Sequence, residues 1–279
     1  MSENFAPGQS FFRAKRHLGQ NFLVDRNILA EIVERAAVTR QDTILEIGPG
    51  RGVLTRELLL RNCACLHAVE LDFRLKEELE NLAASDPRLK LSWGDAMKTD
   101  YGALAPFPNK AVANIPYNIT TPLIWKLLPF ASRGLSYHLF MVQKEAADRL
   151  TAPADSKERY PLGVALEAMG EVRLVRKVPP TCFRPVPRVD SAIVEIRLER
   201  NLDLTDDSLW SDLLHAGFRQ RRKTLLNNLK GFQGIPDWTC RFENLGLDVK
   251  IRAEDLRGEE WLEVYGCVKD ALGSAAGES

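Results

Sequence analysis

The segment Leu45-Glu46-Ile47-Gly48-Pro49-Gly50-Arg51-Gly52-Val53 constrains the fold more than any other part of the chain. An apolar strand pattern, Thr43 to Ile47, runs into a glycine-rich loop and then into a helical pattern, Val53 to Arg61. Such a strand-loop-helix unit is where an α/β sheet receives a nucleotide-like ligand. Glycine is needed there because a Cβ would stand between ligand and main chain. The spacing is G-x-G-x-G, and Val53 occupies the position where G-x-G-x-x-G has its last glycine, which disfavours a dinucleotide. No Lys-Ser/Thr pair follows the loop, so a phosphate-cradling P-loop fails as well.

The same alternation repeats along the chain. Short apolar runs at Cys65–Glu70, Leu89–Trp93, Ala111–Ile115 and Tyr137–Val142 are separated by helical patterns at Phe73–Ala84, Pro122–Leu128 and Gln143–Leu150, and a helix over Asp25–Val38 precedes them. Further strands are expected at Val172–Val178 and Ser191–Leu198. This order predicts an α/β fold with a mostly parallel sheet covered on both faces. Beyond Arg200 only helical patterns remain: Leu209–Phe218, Arg221–Leu229, Trp238–Leu245 and Glu259–Leu272, followed by a tail GSAAGES expected to fray. A boundary near 200 divides residues 1–200 from a smaller all-α domain, 201–279.

The 279 residues are 45% hydrophobic, and no apolar run approaches the roughly 18 residues that span a bilayer. No signal-peptide pattern opens the sequence, so a cytoplasmic protein without membrane attachment is expected. Five scattered cysteines lack the spacing of a zinc site, and the four histidines have no ligand-like spacing; no metal is expected. The 38 basic residues balance 38 acidic ones, which at first argues against a polyanionic partner.

Two acids refine the ligand. Glu70 closes the second strand, 20 residues beyond Gly50, where a carboxylate can accept hydrogen bonds from both hydroxyls of a ribose. Asp95, in Gly94-Asp95-Ala96-Met97, follows the third strand. A glycine loop with these two acids suits a ligand that carries adenosine and no pyrophosphate.

The fourth strand ends in Asn114-Ile115-Pro116-Tyr117-Asn118-Ile119. N-[LIP]-P-Y at that place resembles the signature of S-adenosylmethionine-dependent amino-group methyltransferases. The chain as a whole resembles the small-subunit ribosomal RNA adenine N6,N6-dimethyltransferases. The resemblance spans KRHLGQNFL (Lys15–Leu23), LEIGPGRGVLT, VELD, GDAM, NIPYNITTPL, VQKEAADRL, CFRPVPRVDSA (Cys182–Ala192) and FRQRRKTLLNNL (Phe218–Leu229), in family order. Ile115 stands where leucine is more usual.

The resemblance implies a Rossmann-like methyltransferase sheet with a C-terminal helical domain that helps choose the RNA. It implies S-adenosyl-L-methionine held by Asn21, Leu23, Gly48, Gly50, Glu70, Asp95, Ala96 and Asn114. It also implies two methyl transfers to each of two adjacent adenosines near the 3′ end of 16S rRNA in the small ribosomal subunit. The N6 lone pair is delocalised into the adenine ring. The Asn114 side-chain carbonyl and the Ile115 main-chain carbonyl would accept from the amino group and draw N6 toward a tetrahedral geometry. Pro116 stiffens the turn, Tyr117 offers a stacking face, and Phe183 matches the family's second stacking aromatic. No general base is evident, and the chain is expected to act as a monomer. The rival expectations are a large-subunit rRNA dimethylase and a non-catalytic RNA-binding assembly factor; a broken glycine loop or NIPY would mark the latter, and both are intact.

Net neutrality conceals two runs rich in cations and free of acids: Val172–Arg188, with Arg173, Arg176, Lys177, Arg184 and Arg188, and Arg219–Lys230, with Arg219, Arg221, Arg222, Lys223 and Lys230. Arg184, Arg188, Arg219, Arg221, Arg222 and Lys223 are the candidate RNA-binding residues. If about four of these cations each meet a phosphate of a single-stranded loop, affinity for the RNA falls several-hundred-fold per tenfold rise in salt. Filter binding across a salt series measures the slope, and a flat line removes the phosphate contacts.

Overall fold

The computed structural model describes residues 21–200 and 208–276. Lys15, Arg16 and His17, and the residues just past the boundary expected at 200, lie outside them. Elements are numbered along the chain. Apolar runs become parallel strands: β2 (Thr43–Ile47), β3 (Cys65–Glu70), β4 (Leu89–Trp93), β5 (Lys110–Asn114) and β6 (Tyr137–Gln143). β9 (Ser191–Leu198) lies antiparallel to β6, and β7 (Gly170–Val178) antiparallel to β9. The order across this seven-stranded sheet is β4-β3-β2-β5-β6-β9-β7. The chain winds outward in one direction from β2 to β4, then returns to begin again at β5, so the strand order reverses between β2 and β5. Ligands of open α/β sheets sit outside the strand C-termini at such a reversal.

Burial explains which runs are uniformly apolar. Every residue of β2 and β3 is buried, as expected of strands covered on both faces. The edge strand β7 exposes Arg173, Arg176 and Lys177, charges that blunt an open edge against further pairing. Arg173 pairs with Glu171 and Arg176 with Glu31. Three of the five cations in the first basic run thus lie on a structural edge, and two of them have acidic partners just before the run or far away in sequence.

Helix α1 (Arg26–Arg35) starts where Asp25 accepts hydrogen bonds from the amides of Asn27 and Ile28 at 2.9 and 3.0 Å. It stops short of the expected Val38 because Ala37 turns into the left-handed region, φ 44°. With α2 (Val53–Leu60), α1 covers one face of the sheet; Ile28, Ile32, Leu58, Ile44, Val112 and Leu139 share one cluster. α3 (Lys76–Ser85), α4 (Thr120–Leu127) and α5 (Lys144–Leu150) follow the sequence pattern closely.

Helix α6 (Pro161–Met169) has no counterpart in the sequence reading. Seven of its residues are buried on all sides, so it lacks the polar stripe that makes a helix recognisable. The sheet lies on one side of it and α10 (Gly258–Ala276) on the other. α10 continues through the start of the expected tail as far as Ala276. The remaining C-terminal helices are α7 (Leu209–Gly217), α8 (Leu225–Leu229) and α9 (Trp238–Asn244). Their apolar residues, Trp210, Phe242 and Trp261 of α10 among them, join one cluster with Phe140 and Val194 of the sheet. The helical region therefore shares its core with the sheet through α6.

Arg221–Lys223 are in a turn, contrary to the helix expected over Arg221–Leu229. Thr224 caps α8 by accepting from the Asn227 amide. The buried Asn228 side chain donates to the carbonyls of Gly217 and Gln220, which wraps residues 217–224 into a compact turn. The two parts of the molecule approach closely at Gly258, where an added Cβ would lie 2.6 Å from the main-chain nitrogen of Ala168. Gly258→Ala is expected to cost about 1–3 kcal/mol by overpacking against main chain that cannot move aside, measured as a lowered midpoint in urea unfolding.

Candidate active site

Four strand ends build one cavity. At the end of β2 the chain passes Gly48 and Gly50 with φ of +66° and +58°, a region open to glycine at little cost. A Cβ on Gly50 would also meet the Phe22 ring at 2.9 Å, so the short strand β1 (Phe22–Leu23) closes directly on the loop. Asn21, Leu23, Gly48, Gly50, Glu70, Asp95, Ala96, Asn114, Ile115, Pro116 and Tyr117 all line this cavity. These are the residues expected there, gathered from segments up to 96 positions apart.

The acids are held in different ways. One oxygen of Glu70 accepts from the Gly50 amide at 3.0 Å, and the other from the amides of Leu71 and Asp72 at 2.9 and 2.8 Å. A carboxylate has about four acceptor positions, so Glu70 keeps room for about one ligand hydroxyl, fewer than the two that its place in sequence suggests. Burial raises its pKa, while those three amides pull the other way. Asp95 accepts from the Met97 amide at 2.8 Å, which folds the loop back under its own carboxylate. Tyr101 ties down the next carbonyl, that of Ala96, at 2.9 Å.

Asn114 ends β5 in register with Met141 of β6. Its Nδ2 donates to the main-chain carbonyl of Asn21 at 3.0 Å. A carbonyl can only accept, so this contact fixes which way the carboxamide points and leaves Oδ1 as its accepting atom. Ile115 is buried, and its amide is bound to the Met141 carbonyl at 3.0 Å, which holds the strand end rigid. Pro116 then turns the chain, its ring 3.6 Å from the Cβ position of Gly48. The Tyr117 hydroxyl meets Ser191 Oγ at 2.6 Å.

Phe183 departs from its expected place. It pairs with Leu23 through β8 (Phe183–Arg184), which runs antiparallel to β1, and its side chain is fully buried in the cluster beneath α1, outside the cavity lining. In this arrangement it has no free face for a base. The basic candidates Arg184, Arg188, Arg219, Arg221, Arg222 and Lys223 lie outside the cavity and are exposed, and Arg221 also reaches the carbonyl of Lys157, bracing the turn against the α5–α6 loop.

The cavity has the charge of a cation site. Glu70 and Asp95 face one arginine, Arg51, which is itself bound to Glu78 at 3.1 Å, and the buried Glu46 beside them adds a further carboxyl group. Phosphate is disfavoured, and a positively charged adenosine derivative suits both the acids and the apolar walls Ile47, Val69 and Leu71. Among the described residues, no histidine, lysine or cysteine lines the cavity. Among the described residues no group of three or more His, Cys, Asp or Glu is arranged to hold a metal, and no helix is long and apolar enough to cross a membrane.

A model of the ribosomal RNA adenine dimethylase family matches residues 11–270. The chain belongs to that family. The ribosomal RNA small subunit methyltransferase A of Clostridium botulinum (strain Loch Maree) is 37% identical over 266 residues, covering 94% of this chain and 96% of that one. The protein of the same name from Rubrobacter xylanophilus is 40% identical over 258 residues, 91% and 94% of the two chains. Among solved structures, a dimethyladenosine transferase from Plasmodium falciparum aligns with a TM-score of 0.72 at 27% identity over 86% of this chain and 94% of that one. The 23S rRNA methyltransferase ErmE aligns at 0.65 and 26%, over 88% and 98%.

Glu46 escaped the sequence reading, although a lone acid in the apolar run Thr43-Ile44-Leu45-Glu46-Ile47 is a visible signal. It is buried, and among the described residues Oε2 has no hydrogen-bond partner. Burial pushes its pKa from 4.5 to about 8; the Thr55 hydroxyl lowers it and the neighbouring Glu70 raises it further. The folded protein holds a proton that the unfolded chain gives up above pH 4.5, so Glu46 withdraws stability as pH rises toward about 8, and the full penalty persists above that. Glu46→Gln should therefore raise the melting temperature more at about pH 8.5 than at about pH 5. Equal shifts at both, by scanning calorimetry, would show that the group does not titrate in this range.

Proposed function

We propose that this protein transfers methyl groups from S-adenosyl-L-methionine to N6 of two adjacent adenosines in a hairpin loop near the 3′ end of 16S rRNA, two to each, during small-subunit biogenesis in the cytoplasm. The observation that carries this reading is the Asn114 carboxamide, oriented by Asn21 at a rigid strand end and sharing one cavity with Tyr117, Glu70 and Asp95. The cofactor would be held by the main chain at Gly48 and Gly50, by Glu70, by the Asp95–Ala96 loop and by Asn21 and Leu23, with the cavity's acids suiting its positive charge. When bound, it supplies an activated methyl group with a neutral thioether as leaving group.

The protein's own part is placement. Asn114 Oδ1 and the Ile115 carbonyl accept the two N6 hydrogens and turn the lone pair toward the methyl. Tyr117 holds the base, and stacking of about 1–3 kcal/mol offsets part of its extrusion from the RNA. Alignment of two bound reactants can lower a barrier by about 7–11 kcal/mol, enough to make a strong base unnecessary. The second transfer needs room beside Asn114 for an N6 that already bears a methyl group.

The helical region, 201–279, would contribute Arg219, Arg222 and Lys223 to RNA binding, while Arg184 and Arg188 act from the loop that follows β8. The relatives named for the small subunit support that choice of substrate; the likeness to a 23S rRNA enzyme at 26% identity concerns fold and chemistry. Mass spectrometry of rRNA from cells lacking the protein separates the two by which subunit loses dimethyladenosine.

Asn114→Ala should abolish most methyl transfer to under-methylated small subunits while cofactor affinity, followed by calorimetry, stays nearly intact. Near-normal turnover would remove Asn114 from its assigned place.

A further inference from the structure

Ser191 lies outside every role assigned so far. Its side chain is completely buried, at the start of β9, and its main chain is in register with Gln143 of β6 on one side and Val178 of β7 on the other. The residue before it is fixed as well, because the Asp190 carbonyl accepts from the Lys144 amide at 2.9 Å. The hydroxyl is thus mounted on the interior of the sheet, and its partner at 2.6 Å is the phenol of Tyr117, 74 residues away in sequence. Tyr117 itself sits in a short turn whose residues are not fully buried. A ring at the rim of a cavity can rotate about χ1 and χ2 unless its far end is held.

We infer that Ser191 is a positioning residue, which sets the plane of the Tyr117 ring and hence the plane in which a target base stacks. The inference rests on the adenine-stacking role proposed for Tyr117. Burial raises the pKa of the phenol, so it remains neutral and able to donate across the physiological range. Asp190, which precedes Ser191, and Lys144, whose amide is bonded to it, are the nearby charged groups, and among the described contacts neither is hydrogen-bonded to the phenol. The arrangement also ties substrate grip to base placement. Residues 184–190 carry Arg184 and Arg188 together with the exposed Val186 and Val189. This loop leaves the core at the buried Phe183 and re-enters it at Ser191. One end of the segment that would hold the RNA backbone is therefore bonded to the ring that would hold the base.

The test uses the full-length protein, under-methylated small subunits, and an RNA hairpin carrying 2-aminopurine at the target position. Ser191→Ala and Tyr117→Phe, both of which keep the packing volume nearly constant, should each lower kcat about tenfold or more, with KM for subunits and cofactor affinity within about twofold of wild type. The double variant should be no slower than the slower single one, since both remove the same bond. Quenching of 2-aminopurine on binding should weaken in Ser191→Ala at unchanged RNA affinity, a response that a loss of general stability would not give. Wild-type kcat or quenching in Ser191→Ala, or losses that multiply in the double variant, would overturn the assignment. Absence of methyl transfer by the wild-type protein would instead strike at the proposed function, so the two failures are distinguishable.

Discussion

Parallel pairing of β2 with β3 on one side and β5 on the other is the constraint on which the site depends. Strands buried on both faces can carry almost nothing but apolar side chains, so the polar chemistry is pushed to where the strands end. At the reversal of strand order these ends diverge into a crevice. Gly48, Glu70, Asp95 and Asn114 each stand at or just past the end of a strand, and together they occupy that crevice. The main-chain ladder thereby positions them more rigidly than a set of loops could.

A second layer of control comes from groups that touch no substrate. The Asn21 carbonyl orients Asn114, and the amides of Gly50, Leu71 and Asp72 consume most of the accepting capacity of Glu70. Ser191 grips Tyr117. Each is a hydrogen bond between segments distant in the chain or between a side chain and main chain, and each removes a freedom that would otherwise blur the geometry of transfer. Catalysis by alignment needs this, because its rate depends on how closely the reacting groups are held in place.

Charge is arranged with similar economy. The neutral total divides into an acidic cavity suited to a cation and exposed basic positions outside it. The first basic run proved to be two things: Arg173 and Arg176 are paired on the sheet edge, while Arg184 and Arg188 project from the following loop. Sequence proximity cannot separate these, since Glu31, the partner of Arg176, lies 145 residues away. Likewise Arg221, one of a cluster of cations in sequence, is engaged with the Lys157 carbonyl in space.

The strand runs, the glycine loop, the acids at 70 and 95 and the Asn-Ile-Pro-Tyr turn were all open to inspection in the sequence, because periodicity, glycine placement and short motifs are local and local physics dictates them. The place of the cavity follows from these few positions. The all-apolar helix α6 was hidden because burial on both sides erases the amphipathic signal, and the Arg221–Lys223 turn because Asn228 sets it through bonds to Gly217 and Gln220. Phe183 has the residue type for stacking, yet the pairing of β1 with β8 buries it. Side-chain orientation, available hydrogen-bonding capacity and ion pairing depend on neighbours tens to hundreds of residues away, and only the assembled tertiary structure brings those neighbours together.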